Sequence, residues 1–307
     1  MSPASNLRRA ITTPQLIFRY LNRQYYTLSS KTGLDRDRVD IFDEDWDNLV
    51  ILDACRYDMF ERQNELQGRL ESRFSAGSST FEFLQSNING KSLLDTVYVT
   101  ANPQFYHHRE RISGQFHAVV NVWMDDGWDD ACNTVLPETT TKYAKKATEQ
   151  YPNKRLIIHY IQPHYPFLDE SVDFDKQQLH EEGEKRAFWN EIFTGDLEVS
   201  REVVWDLYTQ NLNRVLQSVA GLKDDLEGKT VITSDHGNMV GERSFPLPIR
   251  EWGHPPGIHT TTLTKVPWLI INDGPRKEII SDRPSKERNP AANDDTVRGH
   301  LEDLGYL

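Results

Sequence analysis

The segment Thr230-Val231-Ile232-Thr233-Ser234-Asp235-His236-Gly237 constrains the fold most. Four residues of high strand propensity run into an Asp-His-Gly turn, so a carboxylate and an imidazole emerge together at the carboxyl end of a buried strand. Open α/β sheets bind ligands at that end. Taken alone, the pattern is also what an ordinary turn looks like, because Asp favours turns and Gly permits positive φ.

A second segment ends the same way. Asn48-Leu49-Val50-Ile51-Leu52-Asp53 is an apolar run that stops at an acid. Such runs mark strands buried on both faces of a parallel sheet. Asp53 either caps the helix that Ala54–Asp58 would open or, if the two strands are neighbours, faces Asp235. A third segment, Ser75–Leu84, is a small-residue turn opening an apolar-periodic stretch. Ser79 and Glu82 have capping-box spacing, which predicts a helix start. A hydroxyl there lies in a positive field beside free N–H groups that suit an oxyanion. Ser79 can be the cap, leaving Thr80 as the better nucleophile; one residue of register separates the two.

In order and spacing, Asn48–Asp58, Gly77–Leu84, His159–Phe167, Val231–Glu242 and Gly253–Ile271 together resemble the alkaline phosphatase/sulfatase superfamily. The tail Val297–Leu307 adds to the likeness, which is nearest in style to sulfatase-like proteins of archaea. The resemblance implies an α/β fold with a mainly parallel central sheet flanked by helices. It also implies a metal-dependent hydrolase or transferase of phosphate or sulfate esters, acting through a covalent intermediate on a Thr or Ser hydroxyl. Its metal ligands map onto Asp53, Thr80 (or Ser79), Asp235 and His236. Carboxylate plus imidazole suits Zn²⁺ or Mn²⁺, and a more oxygen-rich site Mg²⁺ or Ca²⁺. One site is favoured and a second is conceivable. Sulfatases form formylglycine from a Cys or Ser in a Cys/Ser-x-Pro-x-Arg context. Neither Cys55, Cys132 nor Ser79 has it, so phosphoryl chemistry is favoured over a true glycan sulfatase or a non-catalytic anion-binding protein.

The Pro-bounded loop after strand Arg155–Ile161 carries His164, which resembles the family's substrate-facing histidine; His159 reads as a packed strand histidine. In the Gly- and Pro-rich loop Glu251–His259, His254 resembles the family's Gly-His-Pro and His259 is the fallback. Either can hold a second metal or protonate the leaving group. Arg56 either contacts the anionic ester or pairs with Asp58.

The chain has 307 residues and a formal charge of −12. That charge disfavours nucleic-acid binding. Two distant cysteines give no disulfide framework, and no segment reads as a signal peptide or a membrane span. The expected location is therefore the cytoplasm. The expected partner is an anionic ester, glycan- or lipid-linked by resemblance. Residues 1–39 read as an extension to a single catalytic domain, residues 40–307. Within the extension, Leu16–Tyr26 is aromatic and basic. It can rest on a membrane surface or, as its length favours, pack as a helix across the back of the domain. Further helices are expected over Pro137–Tyr151, Val199–Val219 and Thr296–Leu304, with strands at Thr96–Thr100, His117–Val122 and Val266–Ile271. Ser281–Asn293 is expected to be a surface loop.

Overall fold

A computed structural model describes residues 14–31, 38–168, 187–272, 275–285 and 292–306. Its centre is a seven-stranded sheet in the order β2-β9-β6-β1-β5-β3-β4. The strands are β1 (Asn48–Leu52), β2 (Arg69–Phe74), β3 (Ser92–Thr100), β4 (Gln115–Asn121), β5 (Arg155–Tyr160), β6 (Thr230–Thr233) and β9 (Lys265–Asn272). The pairs β1–β5, β1–β6, β3–β5 and β3–β4 are parallel. Only β9 runs the other way, against β6 and β2. A separate hairpin joins β7 (Met239–Arg243) and β8 (Arg250–Gly253).

The apolar run of β1 is buried throughout because it serves two cores at once. Side chains alternate across a strand. Val50 and Leu52 therefore join the core beneath the helices Pro137–Gln150 and Arg201–Leu222. Leu49 and Ile51 face the core that includes Phe83, Leu84 and Ile88 of helix Thr80–Ile88. Each fully buried side chain of this kind contributes roughly 1.5–3 kcal/mol. β1 is thereby fixed at the middle of the sheet, and its carboxyl end is held in place with it.

Most expected elements are present, with ends shifted by a few residues. The helix after β1 begins at Tyr57 rather than Ala54, because Ala54 takes a left-handed φ of 59°. The C-terminal helix spans Asp294–Asp303, and Asn293 caps it through the N–H of Asp295. The expected surface loop Ser281–Asn293 lies partly outside the described residues, and the helix expected over Val199–Val219 is present as Arg201–Leu222.

The aromatic N-terminal segment forms a helix, Pro14–Lys31, that packs on the domain, though not across its back. Buried Asn22 donates to Ser244 Oγ (2.8 Å) and the Leu247 carbonyl (2.9 Å), and Arg19 pairs with buried Glu251. It thus lies on the β7–β8 side, beside the cleft described below. Among the described residues, no helix is long and apolar enough to cross a membrane.

Candidate active site

Three adjacent strands deliver one buried cluster. The pairing of β5, β1 and β6 sets Ile51 opposite both His159 and Thr233. Asp53 and Asp235 follow just beyond, and all three polar side chains are fully buried. One ligand atom from each of Asp53, His159 and Asp235 lies within 4.8 Å of the others. His159 Nε2 is 3.7 Å from Asp53 Oδ2 and 4.0 Å from Asp235 Oδ2. Sequence reasoning treated His159 as packing; it is packed, but its ring edge faces both acids.

The hydrogen bonds of the cluster are only half complete. Asp235 Oδ1 accepts from the N–H groups of Ala54 and His236, both at 2.9 Å. Asp53 Oδ2 accepts from Asn102 Nδ2 (2.6 Å) and the Tyr306 hydroxyl (2.7 Å). Asp53 Oδ1, Asp235 Oδ2 and His159 Nε2 are buried with no partner of good geometry among the described residues. Thr80 lies close enough to favour the charged form of both acids. Its single hydroxyl proton cannot serve His236, Asp53 and Asp235 together. Burial, reinforced by the charge of Asp235, pushes the Asp53 carboxyl well up. Burial also opposes ionisation of Asp235, but His236 and the Ala54 N–H outweigh it and hold that carboxyl down. Buried polar atoms left unpaired are costly and call for an explanation. Two carboxylates and imidazole edges converging on one point are the donor set of a divalent cation, so the residues fit such an ion.

The hydroxyl comes from the helix Thr80–Ile88. Ser79 is its N-cap, its side chain accepting from the Glu82 N–H at 3.5 Å. Glu82 returns the interaction one residue early, accepting from Ser78 N and Ser78 Oγ, each at 2.9 Å. That leaves Thr80, at the first helical position, pointing inward with Oγ1 3.3 Å from His236 Nε2. Gly77 permits the tight approach: a Cβ there would lie 2.6 Å from both Glu82 Cβ and Phe83 N.

The histidine tautomers follow from their backbone partners. His236 Nδ1 lies 2.8 Å from the Gly237 carbonyl, so Nδ1–H donates and Nε2 presents its lone pair to Thr80 and Asp235. Gly237 does not take the positive φ that glycine permits. It is needed for close approach, since a Cβ would lie 2.1 Å from the Thr262 carbonyl. His164 Nδ1 contacts the Tyr165 carbonyl at 2.5 Å, and its Nε2 faces His254 Nε2 at 2.8 Å. Burial lowers the pKa of both His159 and His164 to about 4 and holds that of His254 well below its usual value. All three rings are therefore neutral near pH 7. The His254 ring sits 4.5 Å from that of His236, which brings the expected pair His164 and His254 to the cluster.

Three residues that hold the site were not singled out from the sequence. Asn102 follows β3 at the same end of the sheet, so the strand-end rule that found Asp53 applies to it too. Tyr306 reaches in from the C-terminal tail and stacks on His164 at 4.8 Å. Asn211, on the long helix Arg201–Leu222, donates to the carbonyls of His164 (3.1 Å) and Pro166 (2.9 Å) and so clamps the His164 loop. Nothing local in the sequence marks that contact.

Two expected substrate-binding residues are engaged elsewhere. Arg56 bonds Asp58 with both Nε and Nη2 at 2.8 Å and Glu242 with Nη1 at 2.6 Å. Its buried guanidinium is engaged by Asp58 and Glu242, so of the two alternatives left open by the sequence the pair with Asp58 is the one present. His259 pairs with Glu82 at 3.5 Å and packs on Tyr26, so it supports the helix that carries Thr80. The cluster opens into a cleft of about 310 Å³ lined by Ser79, Thr80, His107, His108, Trp189, Trp252, His254 and Arg19, among others.

No family model and no curated protein matches the chain. Similar solved structures include the lipooligosaccharide phosphoethanolamine transferase A of Neisseria meningitidis, an integral membrane protein. It is 15% identical, with 72% of this chain and 47% of that one covered and a TM-score of 0.43. The chain thus spans about half of that protein's length. The C-terminal periplasmic domain of phosphoethanolamine transferase EptC from Campylobacter jejuni is 16% identical over 73% of this chain and 77% of that one, with a TM-score of 0.44. The phosphonate monoester hydrolase SpPMH of Silicibacter pomeroyi is 14% identical over 84% and 72%, at 0.42. With TM-scores below 0.5 they lend no weight to any particular chemistry, which rests on the side chains of this chain.

Proposed function

We propose that the protein is a metal-dependent hydrolase or transferase of phosphate esters, with Thr80 as its nucleophile. One observation carries the reading. The Thr80 hydroxyl lies against His236 within a buried set of acids and imidazoles whose inward-facing atoms lack partners. Asp53, Asp235 and His236, with Thr80 Oγ1, would hold one divalent cation, and His159 faces the same point. Such an ion lowers the pKa of a bound hydroxyl and offsets charge on the transferring group.

The remaining steps belong to the chain. Thr80 Oγ1 attacks phosphorus and gives up its proton, and the ester P–O bond breaks. The neutral His164–His254 pair takes that proton and passes it to the leaving alcohol. The amino end of helix Thr80–Ile88 would offer backbone N–H groups to the transferring oxygens. Water, or an acceptor alcohol, then attacks the phosphothreonine, regenerating the hydroxyl and releasing phosphate or the new ester. An unmodified Thr cannot become formylglycine, which is why phosphorus is preferred to sulfur.

The test is hydrolysis of matched aryl phosphate monoester, diester and sulfate ester by chelator-stripped protein, with Zn²⁺, Mn²⁺, Mg²⁺ or Ca²⁺ restored. Metal-dependent phosphate-ester turnover, abolished by Thr80→Ala and kept by Ser79→Ala, is expected. Full activity in Thr80→Ala would refute the assignment of the nucleophile. Activity indifferent to chelation would refute the metal.

A further inference from the structure

The N-terminal helix Pro14–Lys31 is amphipathic the wrong way round. The face turned to the protein carries Arg19, Asn22, Arg23 and Tyr26, all buried or half-buried. The face turned to solvent carries Ile17, Phe18, Tyr20, Leu21, Tyr25 and Leu28, each at least 39% exposed. A surface helix of a globular domain does the reverse. Of the ten large apolar side chains exposed among the described residues, six lie on this one helix. A seventh, Phe245, meets Tyr25 edge-on at 5.5 Å and extends the patch onto the β7–β8 loop. The inner face is firmly held by the Asn22 hydrogen bonds and the Arg19–Glu251 pair, so rolling the helix over to bury its apolar side would break both.

Charge identifies what covers this face. The first 34 residues contain five cations, Arg8, Arg9, Arg19, Arg23 and Lys31, and no acid. The chain as a whole carries −12, so the remainder is more acidic still. An anionic bilayer attracts the first region and repels the second, which orients approach through this end alone. Phe and Tyr beside Leu and Ile, in a segment whose charges are all basic, are the composition that settles at a lipid headgroup boundary. A second copy of the chain would instead bring like-charged segments together.

The geometry points to a peripheral membrane-docking surface, formed by the outer face of helix Pro14–Lys31 with Phe245, for anionic lipid. Arg19 of the same helix lines the cleft over Thr80, so the docked face lies beside the opening of the site. The inference stands apart from the reaction, because docking is read without turnover.

The experiment is flotation of the full chain with vesicles of phosphatidylcholine alone or of equimolar phosphatidylcholine and phosphatidylglycerol. Its comparison is the double variant Leu21→Gln/Leu28→Gln, with Ile17→Gln/Phe245→Gln as a second pair should the first fail to fold. Wild type is expected to float with the anionic vesicles and to be released by raised salt. Each variant is expected to lose on the order of tenfold or more in binding, at unchanged melting temperature. Wild type that fails to float, or variants that float equally well, would overturn the proposal. So would light scattering that shows a wild-type dimer dissociated by the same substitutions, because the face would then belong to a second copy.

Discussion

Two buried aspartates bracket β1, and their fates differ. Asp47, before the strand, is wholly satisfied. Its oxygens accept from Arg276 Nε (2.6 Å) and Nη2 (3.0 Å) and from the Lys229 N–H (2.8 Å). Burial opposes its charge, but Arg276 and the Lys229 N–H outweigh burial and hold the carboxyl low. Asp53, after the strand, meets no lysine or arginine among the described residues and faces a second acid instead, and burial with that acid pushes its carboxyl up. The same residue type on the same strand is structural at one end and chemically poised at the other. What separates them is whether the fold itself supplies the countercharge.

That contrast can be broken by substitution. Thr80→Ala should leave Asp53, Asp235 and His236 to hold the cation, more weakly, while turnover falls by about 10⁴-fold or more, the scale of losing a nucleophile; steady-state kinetics beside metal analysis reads both. Asp235→Asn should cost roughly a thousandfold in turnover and release the cation as well. Asp47→Asn should do neither. It should instead lower stability by about 1.5–3 kcal/mol, the worth of hydrogen bonds to charged groups, as followed by urea denaturation. Equal kinetic damage from Asp47→Asn and Asp235→Asn would erase the distinction between the two ends.

Smaller effects sharpen it. In chelator-stripped protein, Asp53→Asn should raise the melting temperature near pH 7, because it removes a charge that burial and Asp235 disfavour. Asp47→Asn should lower it. Glu82, which steadies the start of the Thr80 helix, offers a third case. Burial opposes its charge, yet His259 and the N–H and hydroxyl of Ser78 hold its pKa at about 2. A carboxyl depressed in the folded state adds stability that is full above its unfolded value of about 4.5 and is lost as pH falls through about 2. Glu82→Gln should therefore flatten the acid side of a stability–pH curve by up to about 3 kcal/mol, and an unchanged curve would remove Glu82 from the set of satisfied acids.

The strand ends were legible in the sequence because a buried parallel strand must be apolar, so an acid at its terminus stands out. Asp53, Asp235 and His236 were found in that way, and Thr80 through the cap at Ser79. His159 escaped because it lies inside a strand, where an inward histidine and a packed one look alike. Tyr306 and Asn211 escaped because their contacts span 253 and 47 residues of sequence, and only the fold brings them in. Arg56 was legible as a choice, and the structure resolves it: Glu242, distant in sequence, completes the ion-pair network with Asp58.

The most direct test is calorimetric titration of chelator-stripped protein with Zn²⁺ and with Mn²⁺, in wild type, Asp47→Asn and Asp235→Asn. One tight equivalent in wild type and in Asp47→Asn, absent from Asp235→Asn, is the expected result. No binding in wild type, or binding that survives in Asp235→Asn, would contradict a cation held by the acids at the carboxyl ends of β1 and β6.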